Sequence, residues 1–194
     1  MNITASRPDE TVAILQADFI NCWVPVVQYT LAAPAASVAF AALPQTFRDL
    51  AFVIQARTTR VSTVDSIYWQ ANGDGGQVYS YHNVYGNNNA AAGVSAILAA
   101  NGAVVGYCDA ANSIAGAYGG SQVIFPNYRS TTILKQAWGY GGNIGTPSSA
   151  TIYAGHFDSM WTPAVIAAIT SLIFFPVVGP NFAAGSIFAL YGIL

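Results

Sequence analysis

The chain has 194 residues, enough for one β domain with a substantial core. Hydrophobic residues make up 54% and aromatic residues 13%, yet only 7% are charged, against roughly 25% in an ordinary soluble domain, so solubility rests on Ser, Thr, Asn, Gln and Gly. The net charge of −2, with no cluster of Lys or Arg, excludes a field that collects phosphates and argues against direct nucleic-acid binding.

The first segment opens with Ser6-Arg-Pro-Asp-Glu, a capping-like start, and Val12, Leu15, Phe19 and Cys22 then recur at helical spacing. This predicts a short helix or extended arm over residues 1–23 that serves docking, with Val12, Leu15, Phe19 and Trp23 as candidate assembly contacts. No basic stretch leads directly into an apolar run, and Asp18 interrupts the one candidate, so a signal peptide is not expected.

Beyond Trp23 the texture changes to short runs of β-branched and aromatic residues punctuated by Gly, Pro and Asn, which predicts a single β-sandwich domain over residues 24–194. Candidate strands are Val26 to Leu31, Ser37 to Ala42, Ala51 to Arg57, Ser66 to Ala71, Gln77 to Asn83, Ser121 to Phe125, Thr131 to Trp138, Ala150 to Phe157, Ile166 to Phe175 and Ser186 to Tyr191. The turn Asn72-Gly-Asp-Gly-Gly between two of them reads as a hairpin, because its residues tolerate positive φ. Residues 86–120 are dominated by Ala, Asn and Gly and read as a long ordered loop or subunit contact, with a short helix a candidate at Gly93 to Ala100. From Trp161 to Leu194 there is no charge, but Pro163, Pro176, Gly179, Pro180 and Asn181 cut the stretch into pieces shorter than the roughly 20 residues of a membrane-spanning helix. Two buried strands are expected there, and no membrane partner.

Ten of the fourteen charged residues precede residue 75. So few charges suit a chain whose surface is covered by neighbours. Cys22 and Cys108 form no CxxC pattern and read as buried thiols.

Chemistry-bearing patterns are sparse. His82 and His156 have no partner at metal-site spacing, and no Gly-x-Ser-x-Gly elbow is present. The neighbourhood of Asp74, Ser80 and His82 reads as coincidence. Two of Asp65, Asp74, Asp109 and Asp158 would serve a glycosidase if they stood roughly 5 to 9 Å apart on a cleft. The loop Asn72 to Gly76 has oxygen donors suited to a hard cation but lacks EF-hand spacing. Gly139-Tyr-Gly-Gly-Asn-Ile-Gly lacks the Lys-Ser/Thr of a phosphate loop and reads as a flexible or tightly turned β connection. No catalytic residue, metal ligand or cofactor is expected. Tyr79, Tyr81, Tyr85, Tyr118, Tyr128, Trp138 and Tyr140 are candidate exposed aromatics, and Tyr81, Tyr85, Tyr118, Trp138 and Tyr140 form the candidate binding surface, since aromatic faces stack on saccharide rings and on proteins alike.

Several phrases occur in a telling order: Leu43-Pro-Gln-Thr-Phe-Arg-Asp-Leu, Arg57, Asn72-Gly-Asp, Tyr79, Pro126-Asn-Tyr, Ala168-Ile-Thr-Ser-Leu, and the closing Gly185-Ser-Ile-Phe-Ala-Leu-Tyr-Gly-Ile. In this the chain, from about Ser37 to Leu194, resembles a family of small bacteriophage virion proteins found as head decorations, cement proteins or modules of tail and head fibres. Residues 85–120 depart from that pattern, and Met1 to Trp23 has no counterpart in it. The resemblance implies a jelly-roll-like antiparallel β-sandwich, a homo-oligomer and by similarity a trimer, and a place on the capsid surface against the major capsid protein or another virion protein. It implies no catalytic residue. The function expected from it is capsid decoration or cement, with receptor or glycan binding at a tail fibre or head spike as the alternative.

Overall fold

A computed structural model describes residues 23–87, 90–146 and 152–194, the side chains of 90 and 94–99 excepted. Val12, Leu15 and Phe19, and the predicted arm apart from Trp23, lie outside the described residues.

The chain is an all-β, jelly-roll-like antiparallel sandwich. Its strands are β1 (Trp23–Thr30), β2 (Val38–Phe40), β3 (Asp49–Ala56), β4 (Val64–Ala71), β5 (Tyr79–Asn87), β6 (Ala90–Ala100), β7 (Ala103–Asp109), β8 (Gly119–Phe125), β9 (Lys135–Gly142), β10 (Tyr153–Trp161), β11 (Leu172–Pro176) and β12 (Ile187–Ile193). One sheet has the order β1-β12-β3-β8-β9-β10-β5-β6 and the other β2-β11-β4-β7. The pairing is nested, first strand with last in the large sheet and second with second-last in the small one, and the chain steps back and forth between the sheets.

The alternating pattern of the strands sorts side chains between the layers. In β3 and β4 the inward positions supply Phe52, Ile54, Ile67 and Trp69, all buried. Phe52 stands at the centre, with ring centroids 5.0 Å from Phe40, 5.6 Å from Phe125 and 4.9 Å from Phe174, in edge-on geometry. Such pairs add about 0.5–1.5 kcal/mol each beyond the burial of their area. A second, smaller cluster joins Val104, Tyr107 and Phe157 with Tyr68, Tyr81, Tyr85 and Tyr153.

Four expectations are corrected. Residues 86–120 are not a long loop, and Gly93 to Ala100 is not helical, because β6 and β7 run through them. Every residue of β7 is buried, and its small residues let it lie close against the large sheet: a Cβ on Gly106 would stand 2.1 Å from Ser121 Oγ. The turn at Asn72 is not a hairpin, since β4 and β5 belong to different sheets. Its residues do adopt positive φ, 53° at Asn72 and 71° at Gly73, but the turn serves as a corner between layers. The Gly139 to Gly142 segment is no loose connection either; it completes β9, and a Cβ on Gly139 would stand 2.1 Å from the Gln122 carbonyl oxygen. The uncharged C-terminal stretch does hold two strands, β11 and β12, and among the described residues no helix is long and apolar enough to cross a membrane.

Candidate functional site

Two surfaces stand out, and each follows from how the strands end or alternate. The first is the pole where β3 runs into β4, β7 into β8 and β11 into β12, and where β9 ends. Buried carboxylates organise it. Asp65 accepts hydrogen bonds from Thr58 Oγ1 (3.1 Å), Val178 N (3.3 Å) and Gly179 N (2.8 Å), with Arg60 3.6 Å away. Asp109 accepts from Ile144 N (3.1 Å) and Gly145 N (2.8 Å). The Arg57 guanidinium donates to four carbonyl oxygens, those of Ala111, Ser113, Ile114 and Ala117, at 2.8–3.2 Å. A charge-assisted donor shared among four carbonyls holds a loop in one conformation.

On these loops sit aliphatic side chains that the described residues leave exposed: Val61 is 85% exposed, Val178 60%, Ile144 54% and Ile114 45%. Backbone bonds join the loops, Ala111 N to Arg60 O (2.9 Å), Asn112 N to Ser62 O (2.8 Å) and Ile114 N to Gly145 O (3.0 Å). Sequence reasoning passed over these four residues. A signal existed, because Ile144 within Gly-Gly-Asn-Ile-Gly and Val178 within Pro-Val-Val-Gly-Pro are apolar residues set among turn formers.

The second surface is the outer face of the large sheet. Trp138 and Tyr140 project from β9 at alternate positions, Trp138 opposite Ile124 and Asp158, Tyr140 opposite Gln122 and His156. Asp158 in turn lies opposite His82 and makes a 3.2 Å contact with His156 Nδ1. Between β3, β8 and β9 an open depression of about 380 Å³ is lined by Val53, Gln55, Tyr118, Gly120, Gln122 and Tyr140 among others.

Of the predicted aromatic surface, Tyr118, Trp138 and Tyr140 belong to this face. Tyr81 and Tyr85 do not: they point between the sheets, Tyr81 bonding Tyr68 hydroxyl to hydroxyl at 3.1 Å and Tyr85 packing on Tyr107 and Tyr153. Tyr79 and Tyr128 are fully buried. The reason is parity, since Tyr79, Tyr81 and Tyr85 share the inward side of β5. Trp23 packs on Tyr191 at the start of β1, with ring centroids 5.5 Å apart.

The acids weighed for hydrolysis do other work. Asp65 and Asp109 are at most 1% exposed, which leaves a substrate no access to them. Asp74 receives the Trp161 indole N–H (2.9 Å) and Gly76 N (3.0 Å), so its carboxylate closes the corner. Among the described residues no group of three His, Cys, Asp or Glu is placed to hold a metal ion. Cys108 is a buried thiol whose Sγ lies 3.5 Å from Asp65 O, and burial pushes its pKa up.

Residues of the phrases picked out in the sequence interlock in pairs. Asn127 N donates to Asp49 Oδ1 (2.9 Å), and the Tyr128 hydroxyl bonds to Pro44 O. Asn72 Oδ1 accepts from Thr170 N (2.8 Å) and Ser171 N (3.1 Å), while its Nδ2 donates to Ala168 O (2.8 Å). Arg57 N donates to Ser186 Oγ (3.2 Å). These residues therefore hold strands and corners together.

No family model matches the chain. No curated protein matches it either. Among solved structures, the CBM40 domain of the Ruminococcus gnavus IT-sialidase is similar in its complex with α2,6 sialyllactose (TM-score 0.36) and in its complex with α2,3 sialyllactose (TM-score 0.30). Identity is 12% in both cases, over 88% of this chain and 94% of that one. Likeness at that level carries no argument about what this chain binds.

Proposed function

We propose that this chain is a non-catalytic structural module of a bacteriophage particle, a decoration or cement protein that docks on another virion protein through its loop pole. The observation that carries the reading is the set of exposed aliphatics, Val61, Ile114, Ile144 and Val178, on loops that Arg57, Asp65 and Asp109 hold rigid. A contact of this kind forms without ordering its loops first, so burial of apolar area is not spent on conformational entropy. The low charge of the chain and the family resemblance point the same way. The partner is the major capsid protein or a second copy of the chain in a homo-oligomer such as a trimer, and the location is the capsid surface.

The test is complementation of a phage that lacks the gene. Wild-type protein is expected at regular lattice positions when particles are imaged by cryo-electron microscopy. The double variant Val61→Asp/Val178→Asp, which remains folded because both side chains are exposed, is expected to be missing from them. Density confined to the tail or a single vertex would replace the cement reading with the fibre alternative. Full occupancy by the double variant would remove the pole from the argument.

A further inference from the structure

We propose that the depression on the outer face of the large sheet is a binding site for an uncharged saccharide ring, held between Tyr118 and Tyr140 above Gly120. The inference is independent of the docking pole and adds a second, ligand-binding function to the module.

Three observations carry it. The first is that both tyrosine rings are fixed in advance. The Tyr140 hydroxyl bonds Gln122 Oε1 at 2.6 Å. The Tyr118 hydroxyl donates to Ala184 O at 2.7 Å, beside Gly185, whose φ of +86° and close approach to that hydroxyl leave no place for a side chain. Tyr140 is 55% exposed, so an aromatic face stands ready against the apolar C–H side of a sugar.

The second is Gly120 itself. Glycine weakens a strand, and inside one it marks a bulge, a bend or the close approach of another group. At Gly119, Gly139 and Gly141 the other group is this protein, since a Cβ at each would stand under 3.0 Å from backbone or side-chain atoms. At Gly120 a Cβ would meet only Ile54 O, at 3.9 Å. Packing does not require glycine here. What its absence of a side chain does is keep the floor of the depression open.

The third is the chemistry of the lining. It is Val53, Ile54, Gln55, Tyr118, Gly120, Ser121, Gln122, Tyr140 and Gly141, without a charged residue. The amides of Gln55 and Gln122 both donate and accept, as sugar hydroxyls do, and a lining with no cation offers nothing to a carboxylate or phosphate. Charge complementarity therefore selects a neutral hexose or N-acetylhexosamine over an acidic sugar. The volume of about 380 Å³ lies at the small end of the roughly 300–1,000 Å³ range of ligand sites, which suits one ring with its neighbours lying outside.

The experiment applies the full chain to an array of oligosaccharides ending in uncharged hexoses, in N-acetylhexosamines and in sialic acid. The strongest binder is then titrated calorimetrically against wild type, Gly120→Val, Tyr140→Ala and Val84→Ala. Expected is binding of an uncharged terminus, abolished by Gly120→Val while the thermal midpoint holds or rises, and weakened about tenfold or more by Tyr140→Ala, the scale of one lost aromatic contact. Val84→Ala, an exposed position on β5 outside the depression, leaves affinity in place. No binding on the array, preference for sialylated termini, or undiminished binding by Gly120→Val would each overturn the proposal. The pole variant Val61→Asp/Val178→Asp keeps the saccharide site, so either inference fails without the other.

Discussion

At the scale of single residues, chemically identical side chains have opposite energetic roles here, and burial decides which. Asp65 is 1% exposed and answers to Thr58, Val178, Gly179 and Arg60. Asp158 is half exposed, and its carboxylate lies 3.2 Å from Nδ1 of a half-exposed His156, a salt bridge only when that imidazole is protonated. Removing the acceptor in the first case strands the buried Thr58 hydroxyl and Gly179 N–H and unpairs the partly exposed Arg60, at about 1–3 kcal/mol for each buried donor; the exposed pair contributes about 1 kcal/mol or less. We expect Asp65→Ala to lower the urea midpoint steeply and Asp65→Asn to recover part of the loss, because an amide oxygen still accepts. Asp158→Asn is expected to move the midpoint little. Equal effects of Asp65→Ala and Asp158→Asn would show that the pole is not organised by Asp65. Nothing in the local sequence separates these aspartates, since apart from the adjacent Ser66 N the donors of Asp65 come from residues seven and more than one hundred positions away.

At the scale of elements, ten of the strands were legible because their alternation or β-branched runs are local signals. Turn chemistry was equally readable at Asn72, yet a turn that permits positive φ permits a corner as well as a hairpin. The choice is made by partners remote in sequence: Asn72 is bound to Ala168, Thr170 and Ser171. β7 was hidden because both its faces are covered, so Ala103 to Cys108 shows no period of two and stands among Ala and Gly that read as loop. The aromatic surface was misjudged at Tyr81 and Tyr85 for want of parity, and its glycine floor had no sequence signal, because a glycine facing a ligand and one facing backbone look alike. The two kinds respond differently to a methyl group. Gly139→Ala drives Cβ into the Gln122 carbonyl and the Val123 backbone, so β8 and β9 must separate at a cost of about 1–3 kcal/mol. We expect its thermal midpoint to fall while that of Gly120→Val holds. A stable Gly139→Ala would mean that the β8–β9 pairing has slack that the geometry does not show.

At the scale of the whole molecule, the interior is rich in aromatic hydroxyls and poor in charge, and this sets how stability depends on pH. Burial raises the pKa of Tyr68, Tyr79, Tyr107 and Tyr128 above the ordinary value near 10. Their protonated forms are thus favoured in the fold, and the unfolded chain gives up these protons first as pH rises. Stability from these groups is fully present below about pH 10 and is lost progressively above it as the unfolded tyrosines ionise. Lys135 acts in the opposite sense. It is buried with its ammonium donating to Ser130 O (2.6 Å) and Ile133 O (2.5 Å), and burial lowers its pKa. Between that lowered value and the unfolded value the unfolded chain binds more protons, so this group adds stability as pH rises. Four tyrosines against one lysine decide the sign, and the denaturation midpoint is expected to fall from about pH 10 upward. Tyr107→Phe keeps the ring against Tyr85, Tyr153 and Phe157 and removes one of the four ionisations, so its midpoint should fall less steeply over the same range. A midpoint that is flat or rises between pH 10 and pH 12 would show that the hydroxyls between the sheets are already reached by water in the folded state. In that case the second aromatic cluster would be a hydrated layer, and the sandwich would rest on the Phe52 core alone.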